Sequence, residues 1–214
     1  MNEISNSTAS QSLKIVSTII SYLFHPLFVG VMMGGYLIFI HPVFFQSFTP
    51  QARMLKLLAI INNNVFFPLL VVALMRALGF NKSLLLKTQK ERIVPYIASI
   101  TFFFWTYYVF RNQSDVPLVL VNMCRGIFYA TAAALILNSY FKISMHGIGV
   151  GGLLGLMLVI MYRGELPSIV DLLAAILITV AVAFSRKIVS DHRWFDIISG
   201  IALGLITQLI AIWF

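Results

Sequence analysis

Residues 117–140 read PLVLVNMCRGIFYATAAALILNSY, an apolar run whose only formal charge is Arg125. A helix rising 1.5 Å per residue needs about 20 such residues to cross roughly 30 Å of hydrocarbon. Working outward, comparable runs lie at about 27–46, 54–79, 93–111, 147–162, 168–185 and 195–214. A shorter apolar stretch, SLKIVSTIISYLF at 12–24, precedes His25-Pro26. Proline lacks an N–H and clashes with the preceding turn, so a break or kink is expected there. The pattern predicts an all-α, polytopic transmembrane helical bundle of six or seven spans.

Composition agrees. Of 214 residues, 60% are hydrophobic and 10% charged, with a mean hydropathy of +0.93. A soluble domain usually carries about 25% charged residues. No polar stretch is long enough for a second domain, so residues 1–214 read as one membrane-embedded unit. The opening MNEISNSTASQS has no Lys or Arg and no apolar core. It does not make a signal peptide, and it reads as a disordered tail or helix cap. The single cysteine, Cys124, excludes an intramolecular disulfide and reads as a small packing residue. The net charge of +8 does not point to nucleic acid. The cations cluster at the ends of apolar runs, where Lys and Arg anchor helices among headgroups.

Alternation of the spans puts the loops at 80–93, 140–147 and 185–195 on one membrane face. The loops near 47–53, 112–116 and 163–167 lie on the other. The first face collects Lys87, Lys90, Glu91 and Arg92, then Lys142, Ser144 and His146, then Ser185, Arg186, Asp191, His192, Arg193 and Asp196. Two histidines, several cations and a carboxylate four residues after one histidine suit phosphate-ester chemistry. Cations bind phosphoryl oxygens and stabilise transition-state charge. One imidazole can attack phosphorus while another protonates the leaving oxygen.

The segment Ser185-Arg186-Lys-Ile-Val-Ser-Asp-His192-Arg-Trp-Phe-Asp196 fits SRxxxxxHxxxD without a gap, and Asp196 begins a DxxxG ending at Gly200. This resembles the third signature of the type 2 phosphatidic acid phosphatase (PAP2) superfamily, which also contains vanadium haloperoxidases. Two weaker likenesses precede it. In KTQKERIVP, Lys87 and Pro95 keep the spacing of KxxxxxxRP, but Val94 replaces the arginine and Arg92 stands two residues earlier. In Ile143-Ser144-Met145-His146, the Ser and His of PSGH are kept and its Pro and Gly are lost. The resemblance covers roughly residues 80–200.

It implies a metal-independent lipid phosphatase without a cofactor, in a bacterial inner membrane, working through a phosphohistidine. By resemblance His192 is the nucleophile, Asp196 orients it, and His146 is the general acid. Lys87, Arg92 and Arg186 hold phosphoryl oxygens, and Ser144 donates a further hydrogen bond. The implied partners are lipid phosphates such as phosphatidate, phosphatidylglycerophosphate or a polyprenyl diphosphate, with no nucleic acid. Two other readings stand beside it: a descendant that binds lipid phosphate without turnover, and a small transporter using Asn62–Asn64, Arg125 and Asp171.

Other polar residues have plainer readings. His25 and His41 read as interfacial. Asn62-Asn63-Asn64 are expected to hydrogen-bond between helices. Arg125 and Asp171 are expected to form a structural ion pair, since lone charges are costly in lipid. Gly147, Gly151 and Gly155 repeat every four residues, a spacing that lets helix backbones approach. They are expected to pack the helix of His146 against that of His192.

Overall fold

The computed structural model describes residues 2–80, 88–164, 166 and 168–213, with side chains from residue 11 onward. Lys87 lies outside the described residues. No strand occurs among those described, and the architecture is the all-α membrane bundle expected. In chain order the helices are α1 (Asn2–Leu23), α2 (Pro26–Gly35), α3 (Pro50–Ile61), α4 (Phe67–Ala77), α5 (Gln89–Arg111), α6 (Leu118–Asn138), α7 (Met145–Arg163), α8 (Ile169–Val189) and α9 (Trp194–Ile210). Two π-helical turns, Tyr36–Ile40 and Asn62–Phe66, extend α2 and join α3 to α4.

Among the described residues five spans are long and apolar enough to cross a membrane: Pro50–Ala77, α5, α6, α7 and α8. A sixth is broken, with Gln11–Leu23 and Pro26–Ile40 meeting at 58°. At 17 residues, α9 is shorter, about 25 Å at 1.5 Å per residue. Large apolar side chains such as Ile19, Leu55, Leu177 and Ile198 point outward, as lipid-facing positions do in an integral membrane protein.

Prolines account for the breaks. His25 is extended and caps α2, its Nδ1 accepting from the Leu27 amide at 3.4 Å. The next span stops at Ile40 rather than near residue 46. His41 precedes Pro42 and is extended, because proline disfavours the helical conformation in the residue before it. Pro68 cannot donate to the Asn64 carbonyl, and the helix widens there. The Phe67 amide reaches back to the Asn62 carbonyl instead.

Two expectations are corrected. Residues 2–12 continue α1 rather than forming a tail, in keeping with a stretch that has neither Pro nor Gly. Arg125 and Asp171 do not pair. Arg125 donates to the Ala211 carbonyl at 2.9 Å and stacks over Tyr107, while Asp171 accepts from the Tyr36 hydroxyl at 2.7 Å. A backbone carbonyl and an aromatic face thus replace the carboxylate as the partners of a buried guanidinium.

The glycines behave as expected. The interface of α7 with α9 is the most extensive in the bundle. A Cβ on Gly147 would sit 2.7 Å from the Ile197 carbonyl oxygen, and one on Gly200 would sit 2.6 Å from that of Ser144. Gly151, Gly155 and Gly204 are equally closed to a side chain. The two helices meet backbone to backbone, as small residues four apart permit. α1 shows an inverted pattern: Ser17 and Ser21 are buried, whereas Ile15, Ile19 and Tyr22 are exposed. Its small polar face meets the bundle, partly along α8, and its apolar face meets lipid.

Candidate phosphate-binding site

The three loops of the motif face converge because their backbones are tied together. Arg92, in the first turn of α5, donates from its guanidinium to the Ile143 carbonyl at 3.1 Å. The next amide, Ser144, donates to the Asp196 carbonyl at 3.0 Å. Gln89 and Asn138 exchange hydrogen bonds between side chain and backbone at 2.6 and 3.0 Å, fastening the start of α5 to the end of α6. Thr88 caps α5 through a reciprocal pair with Glu91.

These ties surround a cavity of about 730 Å³. Its polar end is lined by His25, Arg92, Lys142, His146, Arg186, Ser190, Asp191 and His192. Deeper in the bundle the lining turns apolar, with Val29, Met33, Leu69, Val72, Phe103, Ile127 and Ala134. It reaches Gln208 in the last turn of α9, roughly 20 Å from the polar end at 1.5 Å per residue. Asn64 lies beside this deep end, and its Oδ1 accepts from Thr106 of α5 at 3.4 Å. Asn64 therefore bonds between helices as expected, while Asn63 bonds back to Ala59 of its own helix.

Four of the seven candidate residues, His146, His192, Arg92 and Arg186, line this one space. Lys87 falls outside the described residues. The other two do not line the cavity. Ser144 is fully buried and caps α7, its Oγ accepting from the Gly147 amide at 3.2 Å. Ser144 thus caps α7, since an N-terminal amide needs an acceptor, and it is not among the side chains lining the cavity. Asp196 stands behind His192 rather than in the cavity. Its carboxylate accepts from the Arg193 amide at 2.8 Å and lies 3.8 Å from His192 Nδ1. That spacing supports an electrostatic contact but not a hydrogen bond.

His192 sits in the short turn between α8 and α9 and is 4% exposed. Burial, followed by the positive charges of Arg92, Arg186 and Lys142, lowers its pKa from 6.5 to about 4. The ring is neutral near pH 7, which leaves a lone pair for attack or for accepting a proton. With Nδ1 turned toward Asp196, Nε2 is the nitrogen available to the cavity. At the rim, Lys142 and Asp191 form an ion pair at 2.6 Å, and the Lys142 hydrogen bond holds the Asp191 carboxyl below its ordinary range.

The residue that sequence reasoning missed is His25. Its ring meets that of His146 edge-on, with centroids 5.3 Å apart, and it lines the cavity. The signal for it in the sequence is the His-Pro step, whose break brings the His25 side chain to the cavity. No metal-holding cluster of His, Cys, Asp and Glu occurs among the described residues. Set against known family models, curated proteins and solved structures, the chain matches none, so its site is read from its own residues and their geometry.

Proposed function

We propose that this membrane protein is a hydrolase of lipid phosphates, a divergent PAP2-type phosphatase working through a phosphohistidine in a bacterial inner membrane. The observation that carries the reading is one continuous cavity that has two arginines and three histidines at one end and an apolar shaft behind them. An anionic headgroup suits the first part and a hydrocarbon chain the second.

In the proposed reaction Arg92 and Arg186 bind the phosphoryl oxygens and neutralise charge as it develops. His192 Nε2 donates its lone pair to phosphorus as the bond to the leaving oxygen breaks. His146, as imidazolium, gives that oxygen a proton and becomes neutral. Water then attacks the phosphohistidine and His146 takes its proton. The P–N bond breaks, freeing inorganic phosphate and restoring His192. Asp196, close behind Nδ1, supports the positive charge that His192 acquires.

A binder without turnover is the second reading. It is favoured by the 3.8 Å gap between His192 and Asp196 and by the capping role of Ser144. One experiment separates the two. Phosphate release from phosphatidate and polyprenyl diphosphate in mixed micelles, with chelator present, is compared for the native chain and His192→Ala. Chelator-resistant release that falls at least ~10³-fold in the variant is expected. Retained lipid binding with no release by the native chain leaves only the binder.

A further inference from the structure

His146 has one ring nitrogen already committed. Its Nε2 lies 3.0 Å from the backbone carbonyl oxygen of Ser21, near the end of α1. A carbonyl only accepts, so Nε2 must carry a proton and donate it.

The Ser21 carbonyl is available because of how α1 ends. In a continuing helix it would accept from the amide of His25. Here the Phe24 amide bonds to the Ile20 carbonyl and the His25 amide to the Tyr22 carbonyl, so both pass Ser21 by. Pro26 has no N–H to extend the ladder, and the chain turns by 58° into α2. The last carbonyls of a helix also form the negative end of its dipole, which favours a cation placed against them.

We propose that the end of α1 is a positioning element for proton transfer. The Ser21 carbonyl holds His146 with Nε2–H turned outward and Nδ1 turned to the cavity. It supports the imidazolium, which protonates the leaving oxygen from Nδ1. The proposal rests on the phosphatase reading. It adds a part of the chain that the PAP2-like motifs, which begin near residue 80, do not include. His25 stands edge-on to the same ring, with centroids 5.3 Å apart.

The proton count closes. At rest His146 carries one hydrogen, on Nε2, and the bound phosphate monoester brings a second to Nδ1 before the first step, so that both nitrogens then carry hydrogens. After it, Nδ1 is bare and Nε2–H still donates to Ser21. In the second step Nδ1 takes the proton of the attacking water. The Ser21 bond persists throughout, so the ring need not rotate between steps.

The first test reads the ring itself. Nitrogen NMR of the histidine-labelled full-length chain in micelles gives the neutral tautomer of His146, whose signal is the one lost in His146→Gln. The Nε2–H tautomer alone is expected. An Nδ1–H tautomer, or a mixture, overturns the proposal.

The second test reads the proton transfer. His146→Gln keeps an N–H for Ser21 but cannot supply the proton. It is expected to slow release from an alkyl lipid phosphate ~10²-fold or more. Release from a nitrophenyl phosphate, whose leaving group needs no proton, is expected to change far less. Ser21→Leu, which forces a bulky side chain into the buried face of α1, is expected to mix the tautomers and show the same selective loss. Equal loss on both substrates in His146→Gln overturns the proton-donor assignment. Ser21→Leu that mixes the tautomers yet leaves alkyl-phosphate release unchanged overturns the role of α1. If the native chain releases phosphate from neither substrate, the phosphatase reading fails and the proton-transfer role fails with it, while the tautomer still reports whether Ser21 holds the ring. Turnover with the wrong tautomer overturns only the present proposal.

Discussion

The two ends of the bundle handle charge differently. At the end away from the motifs, several polar groups are matched to structural partners. Lys56 pairs with Asp115 at 3.1 Å, Tyr36 donates to Asp171 at 2.7 Å, and Arg111 donates to the Tyr107 hydroxyl at 3.0 Å. At the motif end Lys142 pairs with Asp191 at the rim, and Arg193 with Asp196 behind His192 at 3.4 Å. Arg92 and Arg186 instead face the cavity, and Arg186 Nε, like Arg53 Nε at the other end, is buried without a hydrogen bond. Charges satisfied in place stabilise a fold. Cations gathered around an apolar-backed space are poised for an anion from outside.

Four experiments test that contrast. The largest expected effect lies in the seam that holds the motif end together. Gly200→Val places a side chain where the Ser144 carbonyl stands and should lower stability by several kcal/mol or prevent folding, read as thermal unfolding in detergent. Gly149→Ala, whose nearest neighbour would be Val29 at 3.5 Å, should fold and keep activity. If both behave alike, backbone contact is not what sets the seam.

Next, Arg186→Ala should lower kcat/KM for lipid phosphate ~10²-fold or more, since a charge-assisted contact to the transferring group is lost. Asp115→Ala at the far end should leave kcat/KM unchanged and cost at most about 1 kcal/mol of stability, as expected for a pair with one exposed partner. Equal losses would erase the distinction between the two ends.

The third effect is a titration. His192 should titrate near 4 by NMR, and Arg186→Gln should move it upward by removing a neighbouring positive charge. Its folded pKa is depressed below the ordinary 6.5, so the unfolded chain takes the proton first as pH falls. The contribution of His192 to stability is therefore full above about 6.5 and is lost as pH drops toward about 4. Inorganic phosphate bound in the cavity should raise the same pKa. A value near 6.5 that ignores both changes would show that neither burial nor the cations govern the ring.

The smallest effect belongs to the rim. Lys142→Ala removes an ion pair whose carboxylate is exposed, and stability should change by less than about 1 kcal/mol. The pKa of Asp191 should rise toward the ordinary carboxylate range as its hydrogen bond is lost.

The spans were legible because a bilayer demands long apolar runs with satisfied backbones, and the runs stand out around Arg125. The convergence of Arg92, His146, Arg186 and His192 followed from counting spans, which puts alternate loops on one face. The glycine seam was legible from a spacing of four. What the sequence did not disclose were choices made by individual backbone amides. Ser144 and Asp196 matched a pattern of polar residues, yet both bond first to amides at the starts of α7 and α9. A Ser opening a helical run also carries the signature of a cap. His25 was hidden for a different reason. A His-Pro step foretells a break but not its angle, and the 58° turn brings that ring against His146.

The seam between α7 and α9 has a mechanical consequence. Side chains can change rotamer, but two main chains in contact cannot slide past each other without moving whole helices. One wall of the cavity, carrying His146 at the head of α7 and His192 just before α9, is therefore stiff. The facing wall, built from α1, α2, α4 and α5, meets the cavity through larger side chains such as Met33, Leu69 and Phe103. Guests of differing girth would be accommodated by that wall, leaving the spacing of the two imidazoles untouched.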